Sequence, residues 1–145
     1  MEFKKFLLES EKNMADVKDT LLKIPAKHKA LVKGYKFKFQ KDNTLNGDNE
    51  HIGEIDDEKK TITVAAPWNY GREYTILHEI GHVIWKWLVD DKKKKQWTKI
   101  VKNTKDKMNQ NDEELFCMAY ANTYAKSKIK IHDHPAWEKF VKSLS

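Results

Sequence analysis

Apolar positions at Phe3, Phe6, Leu7, Met14, Val17, Leu21 and Leu22 recur at spacings of three, four and seven, which predicts one or two amphipathic helices over residues 1–24. Pro25 interrupts them. Residues 26–33 (AKHKALVK) then read as a short helix closed by Gly34, with His28, set among lysines, on its exposed surface. Residues 35–40 alternate aromatic and polar side chains, the period of a half-buried strand. After a polar loop over 41–50 with a turn at Asn46-Gly47, residues 51–55 and 61–66 read as two strands of a hairpin, with His51 exposed and Pro67 ending the second strand. Asn69 is the expected cap of the next helix, with Glu73 as an acid in its first turn. Residues 74–89 are apolar on almost every side (Ile76, Leu77, Ile80, Val83, Ile84, Trp85, Trp87, Leu88), which predicts a central buried helix. The lysines at 92–95 mark its exposed C-terminal end. Helices are further predicted over 96–108, 113–124 and 136–144, with a break at 109–112 and a turn at 132–135.

Inside the buried run stand His78, Glu79 and His82, in the pattern H-E-x-x-H. Residues four apart lie one above the other on a helix, so the two imidazoles can converge on one tetrahedral metal ion. Glu79 can then take a proton from a water on that metal, the general-base role in metal-assisted hydrolysis. The competing reading is a core His/Glu cluster whose polar atoms satisfy one another. A metal accounts better for these groups inside an apolar helix, because buried polar side chains need partners. Gly81 costs about 1 kcal/mol relative to alanine in a helix interior, which implies that another segment packs closely between the histidines.

Composition narrows the picture. A chain of 145 residues, 39% apolar with five Trp and six Phe, suits a single domain with a real core. Cys117 is the only cysteine, so an internal disulfide is excluded. The apolar part of the N-terminus is too short for a signal peptide and no stretch approaches a membrane span, so the expectation is a cytoplasmic protein without a membrane partner. A net charge of +6 raises nucleic acid as a partner. Arg72 is the only arginine, however, and the lysines are dispersed among acids, so the expectation is a solvated basic surface and no specific nucleic-acid partner.

Two histidines leave zinc in need of a third protein ligand if the fourth position is kept for water. Downstream candidates are Glu113, Glu114, His132, Asp133 and His134. The helix over 113–124 is the best source, having acids at its start and an apolar body that must be buried. Glu114 shares a face with Cys117, Met118, Ala121 and Ala125, and Glu113 shares one with Phe116, Cys117, Tyr120 and Tyr124. With Asn111 as cap, Glu114 alternatively completes a capping box.

The sequence HEIGH at 78–82, followed by NDEELFCMAYANTY at 111–124, resembles the zincin metallopeptidases of the gluzincin type, particularly the anthrax lethal factor and Pro-Pro endopeptidase group. There the second motif has the form N-x-x-E-F-F-A-E-A-F. The phrase IPAKH at 24–28 is also similar to the start of those catalytic domains. The resemblance implies one Zn2+ per chain, held by His78, His82 and Glu114. A tyrosine seven residues before the ligand glutamate stabilises the oxyanion in that group; here the position is Lys107. The Lys107 ammonium could itself polarise a carbonyl, and Tyr120, Tyr124, His132 and His134 are the other candidates to take over the role.

The expectation is therefore an α+β, zincin-like single domain over residues 1–145, with a small twisted sheet packed on the HExxH helix and a C-terminal helical part. Its expected function is that of a zinc metalloendopeptidase with Glu79 as general base, monomeric, acting on a protein or peptide substrate bound extended. The strand over 61–66, read as a sheet edge beside the metal helix, is where that substrate would add. Such a compact peptidase fits a regulatory protease of a phage or mobile element. The alternatives are a catalytically weak or inactive zincin-fold module that binds metal or a protein partner, and a nucleic-acid-associated protein using the lysine surface.

Overall fold

In the computed structural model, which describes residues 2–40, 53–65, 71–108 and 110–145, the other elements are arranged on one helix, Arg72–Leu88. In chain order the elements are α1 (Glu2–Leu21), α2 (Ala26–Val32), β1 (Lys36–Gln40), β2 (Gly53–Asp56), β3 (Thr61–Ala65), α3 (Arg72–Leu88), α4 (Asp91–Met108), α5 (Asp112–Tyr124), a 3-10 turn (Lys130–His132) and α6 (Pro135–Lys142). The architecture is α+β and mostly helical, with one small sheet. The turn at Asn46-Gly47, His51, Pro67 and Asn69 lie outside the described residues.

Helix α3 starts at Gly71, whose φ of 93° and ψ of 158° fall in a region that essentially only glycine occupies. The chain therefore turns into the helix at a residue without Cβ, and the Gly71 carbonyl accepts hydrogen bonds from the Thr75 backbone N–H and from its hydroxyl. Every residue from Tyr74 to Gly81 is buried, as are Val83, Ile84 and Trp85. A helix is buried all round only when neighbours cover every face, and here α5, α1, α2 and the strands β2 and β3 all pack on it. Trp87 departs from the expected pattern: it is 49% exposed, and its ring is flanked by the ammonium groups of Lys60 and Lys86.

The sheet has the order β1-β3-β2. β2 pairs antiparallel with β3, the predicted hairpin, in the register Ile55 to Ile62 and Gly53 to Val64. β1 adds to the other side of β3 in parallel, with Phe37 opposite Ile62 and Phe39 opposite Val64. This corrects the expectation that β3 is a sheet edge. Hydrogen bonded on both sides, it has no free edge for a substrate strand, and Ile62 and Val64 are fully buried. Alternation along β3 is the same for an edge and a central strand, so the parallel partner was not readable from it.

Lys92 to Lys95 also sit differently. They form the first turns of α4, whose start is closed by the Asp90 carboxylate accepting from the Lys93 N–H at 2.9 Å. Asp90 and Asp91 there supply the negative charge that a helix N-terminus favours. Trp97 of α4 donates its indole N–H to the Asp112 carbonyl at 2.8 Å, fixing where α5 begins. Its ring packs on Phe116, Trp137 and Phe140, so one aromatic cluster joins α4, α5 and α6. Among the described residues no helix is long and apolar enough to cross a membrane.

Candidate metal centre

The expected close approach at Gly81 is present, and the segment making it is α5. A methyl carbon on Gly81 would stand 3.3 Å from Cys117 Cβ and Sγ, so α5 lies directly on α3 between the two histidines. That crossing brings Glu113 and Glu114, in the first turn of α5, to the imidazoles.

Asn111 caps α5, its side-chain oxygen accepting from the Glu114 N–H at 2.8 Å. The Glu114 carboxylate points to the histidines. Its Oε2 lies 3.0 Å from His78 Nε2 and its Oε1 3.1 Å from His82 Nε2. Glu113 reaches the other nitrogen of the second ring, its Oε2 accepting from His82 Nδ1 at 2.6 Å. The two adjacent acids thus divide the imidazole atoms between them, Glu114 spanning both Nε2 positions and Glu113 holding Nδ1.

Electrostatics follow from these contacts. Burial works against a charge on His82, but Cys117, Glu113 and Glu114 outweigh it and raise its pKa far above the usual imidazole value. Both ring nitrogens face carboxylates, an arrangement that favours the charged form of the ring. Burial would raise the Glu114 carboxyl, yet hydrogen bonds from His78 and His82 bring it well below the usual range. Glu79 is 2% exposed and His78 4%, and His78 Nδ1 is buried without a hydrogen-bond partner among the described residues.

The donor set fits a metal ion. One ring nitrogen each of His78 and His82 and the sulfur of Cys117 lie within 4.8 Å of one another, a cluster able to hold a metal. The Glu114 carboxylate stands outside this cluster but reaches the same imidazoles. Cys117 is fully buried, and burial pushes its thiol up to about 12, with the Glu114 and Glu79 charges adding to the shift and His82 opposing it. The thiol was not among the ligand candidates read from sequence, although its place one turn after Glu114 on the same helix face was the available signal.

Tyr120, Tyr124, His132 and His134, the candidates for the oxyanion, have contacts of their own. Tyr120 is fully buried, with its hydroxyl 3.0 Å from His28 Nδ1. His28, expected on the surface, is itself fully buried, and its Nε2–H donates to the Leu144 carbonyl at 2.9 Å. It shares the inward face of α2 with Val32, four residues on, while the neighbouring lysines occupy other faces. Tyr124 packs its ring edge-on against Tyr120. His132 lies 2.7 Å from the Tyr74 hydroxyl, and His134 stacks on Trp137 at 4.2 Å between centroids. Lys107 falls in the last turn of α4.

Comparison of the chain with protein-family models, with curated proteins and with solved structures gives no match in any of the three.

Proposed function

We propose that this protein is a zinc-dependent peptidase of the zincin type, with His78, His82 and Glu114 holding the metal and Glu79 acting as general base. The observation that carries the reading is the approach of both Glu114 oxygens to the Nε2 atoms of the two motif histidines. A glutamate serving only as a helix cap would turn back toward Asn111. Glu113 on His82 Nδ1 supplies the outer carboxylate that commonly orients a ligand imidazole and fixes its tautomer.

Bound zinc would supply Lewis acidity, polarising a peptide carbonyl and acidifying water. The protein's own part in the reaction is proton handling and positioning. Glu79, neighbouring His78 on α3 and buried, would accept the proton of the attacking water and return it to the leaving amine. An extended peptide would pair with β2, since β3 is bonded on both sides and β2 is the outer strand that packs on α3.

A second reading has its own support. With the Tyr120 hydroxyl on His28 and the His132 ring on Tyr74, two of the four groups named to stabilise an oxyanion are committed within the core, which favours a metal-binding or protein-interaction module without turnover. Incubation of the zinc-loaded protein with a peptide library, with and without chelator, separates the two. Chelator-sensitive cleavage supports the peptidase; stoichiometric zinc with no cleavage across the library supports the module.

A further inference from the structure

We infer that Cys117 is a fourth protein ligand of the same metal, so that the resting centre is a closed site of His78, His82, Glu114 and Cys117. The inference rests on the metal-centre reading above and adds to it a ligand that the H-E-x-x-H pattern does not supply.

Three observations carry it. The Cys117 sulfur already lies within 4.8 Å of a ring nitrogen of both histidines, so only a small inward movement is needed to share one ion. Gly81 makes that position possible, because a methyl carbon there would press on the sulfur at 3.3 Å and on the Cys117 Cα at 3.0 Å. Glu114 and Cys117 are three residues apart on α5, so this helix offers a carboxylate and a thiol from one face, just as α3 offers two imidazoles one turn apart. Four protein donors of N, O and S type complete a tetrahedral zinc shell, which is how structural sites are closed, whereas catalytic sites leave one position to water.

In forming the site the sulfur–metal bond replaces the sulfur–hydrogen bond, and the thiol proton leaves to solvent. The consequence for hydrolysis is latency: water can occupy the fourth position only after the sulfur has left it.

The test uses cobalt(II) as the probe on the full chain, comparing wild type with Cys117→Ser and Cys117→Ala. One cobalt per chain with a near-ultraviolet thiolate-to-cobalt charge-transfer band is expected for wild type. Both variants should still bind cobalt through the remaining ligands but lack the band. X-ray absorption of the zinc-loaded wild type should show one sulfur at about 2.3 Å. That readout and the wild-type band decide the matter even if the variants do not fold. Stoichiometric cobalt without the band overturns the inference and leaves the His78, His82 and Glu114 centre standing. Failure to bind cobalt or zinc at all overturns both.

Discussion

A methyl group on Gly81 would stand 3.0 Å from the Cα of Cys117, which makes this glycine the point where α3 and α5 touch backbone to backbone. Because the obstructing atom belongs to a helix backbone, it cannot rotate aside as a flexible side chain would. Gly81→Ala gains about 1 kcal/mol of helix propensity but overpacks the crossing, which typically costs about 1–3 kcal/mol. Net destabilisation is expected, accompanied by weaker metal binding as the helices separate. Chemical denaturation read beside zinc titration checks this; a stabilised variant with unchanged affinity would show that the crossing relaxes freely.

Replacing each acid of α5 separates their roles. Glu113→Gln keeps an oxygen able to accept from His82 Nδ1, so the expected loss of zinc affinity is about tenfold, the low end for an outer-shell partner. Glu114→Gln removes a carboxylate ligand, and its loss should exceed the roughly 100-fold upper end of that range. Competition titration against a chromogenic chelator measures both. Equal losses would contradict the division of labour.

Glu79→Gln preserves shape and removes the proposed proton acceptor. Zinc content and thermal stability should stay close to wild type while cleavage of any identified peptide falls about a hundredfold to ten-thousandfold. Undiminished cleavage by this variant would remove Glu79 from the chemistry.

His28 gives the metal-free protein an acid-side dependence. Its pKa is lowered by burial and by the Lys27 charge, against the bond to Leu144. Below its ordinary value of 6.5 the unfolded chain binds the proton and the folded chain resists it, so the His28 contribution is complete above 6.5 and declines as pH falls toward the lowered value. His132, also lowered by burial, acts in the same direction. Each contributes a slope of at most about 1.4 kcal/mol per pH unit. The raised pKa of His82 acts in the opposite direction above 6.5, so urea denaturation in chelator between about pH 6.5 and 5 should show the decline, shallower in His28→Gln. A His28→Gln slope equal to wild type would place the titration elsewhere.

The sequence by itself determined the helix that carries the H-E-x-x-H motif and the spacing within it. An apolar run about four turns long with two histidines four apart can fold locally in one way, and its periodicity puts the imidazoles on one face whatever surrounds it. The capping of α5 by Asn111 and the antiparallel hairpin of β2 and β3 were legible for the same reason, being settled by residues a few positions apart. What the chain order could not carry was which surface each face meets. The parallel pairing of β1 turned β3 from an edge into the centre of the sheet. The packing of α2 against Tyr120 of α5 and the Leu144 carbonyl buried His28 among lysines. The crossing of α3 and α5 at Gly81 separated Glu113 from Glu114 and brought Cys117 between the histidines. Each of these is a contact between residues distant in sequence, decided by how helices and strands fill space against one another, and only the tertiary structure holds that information.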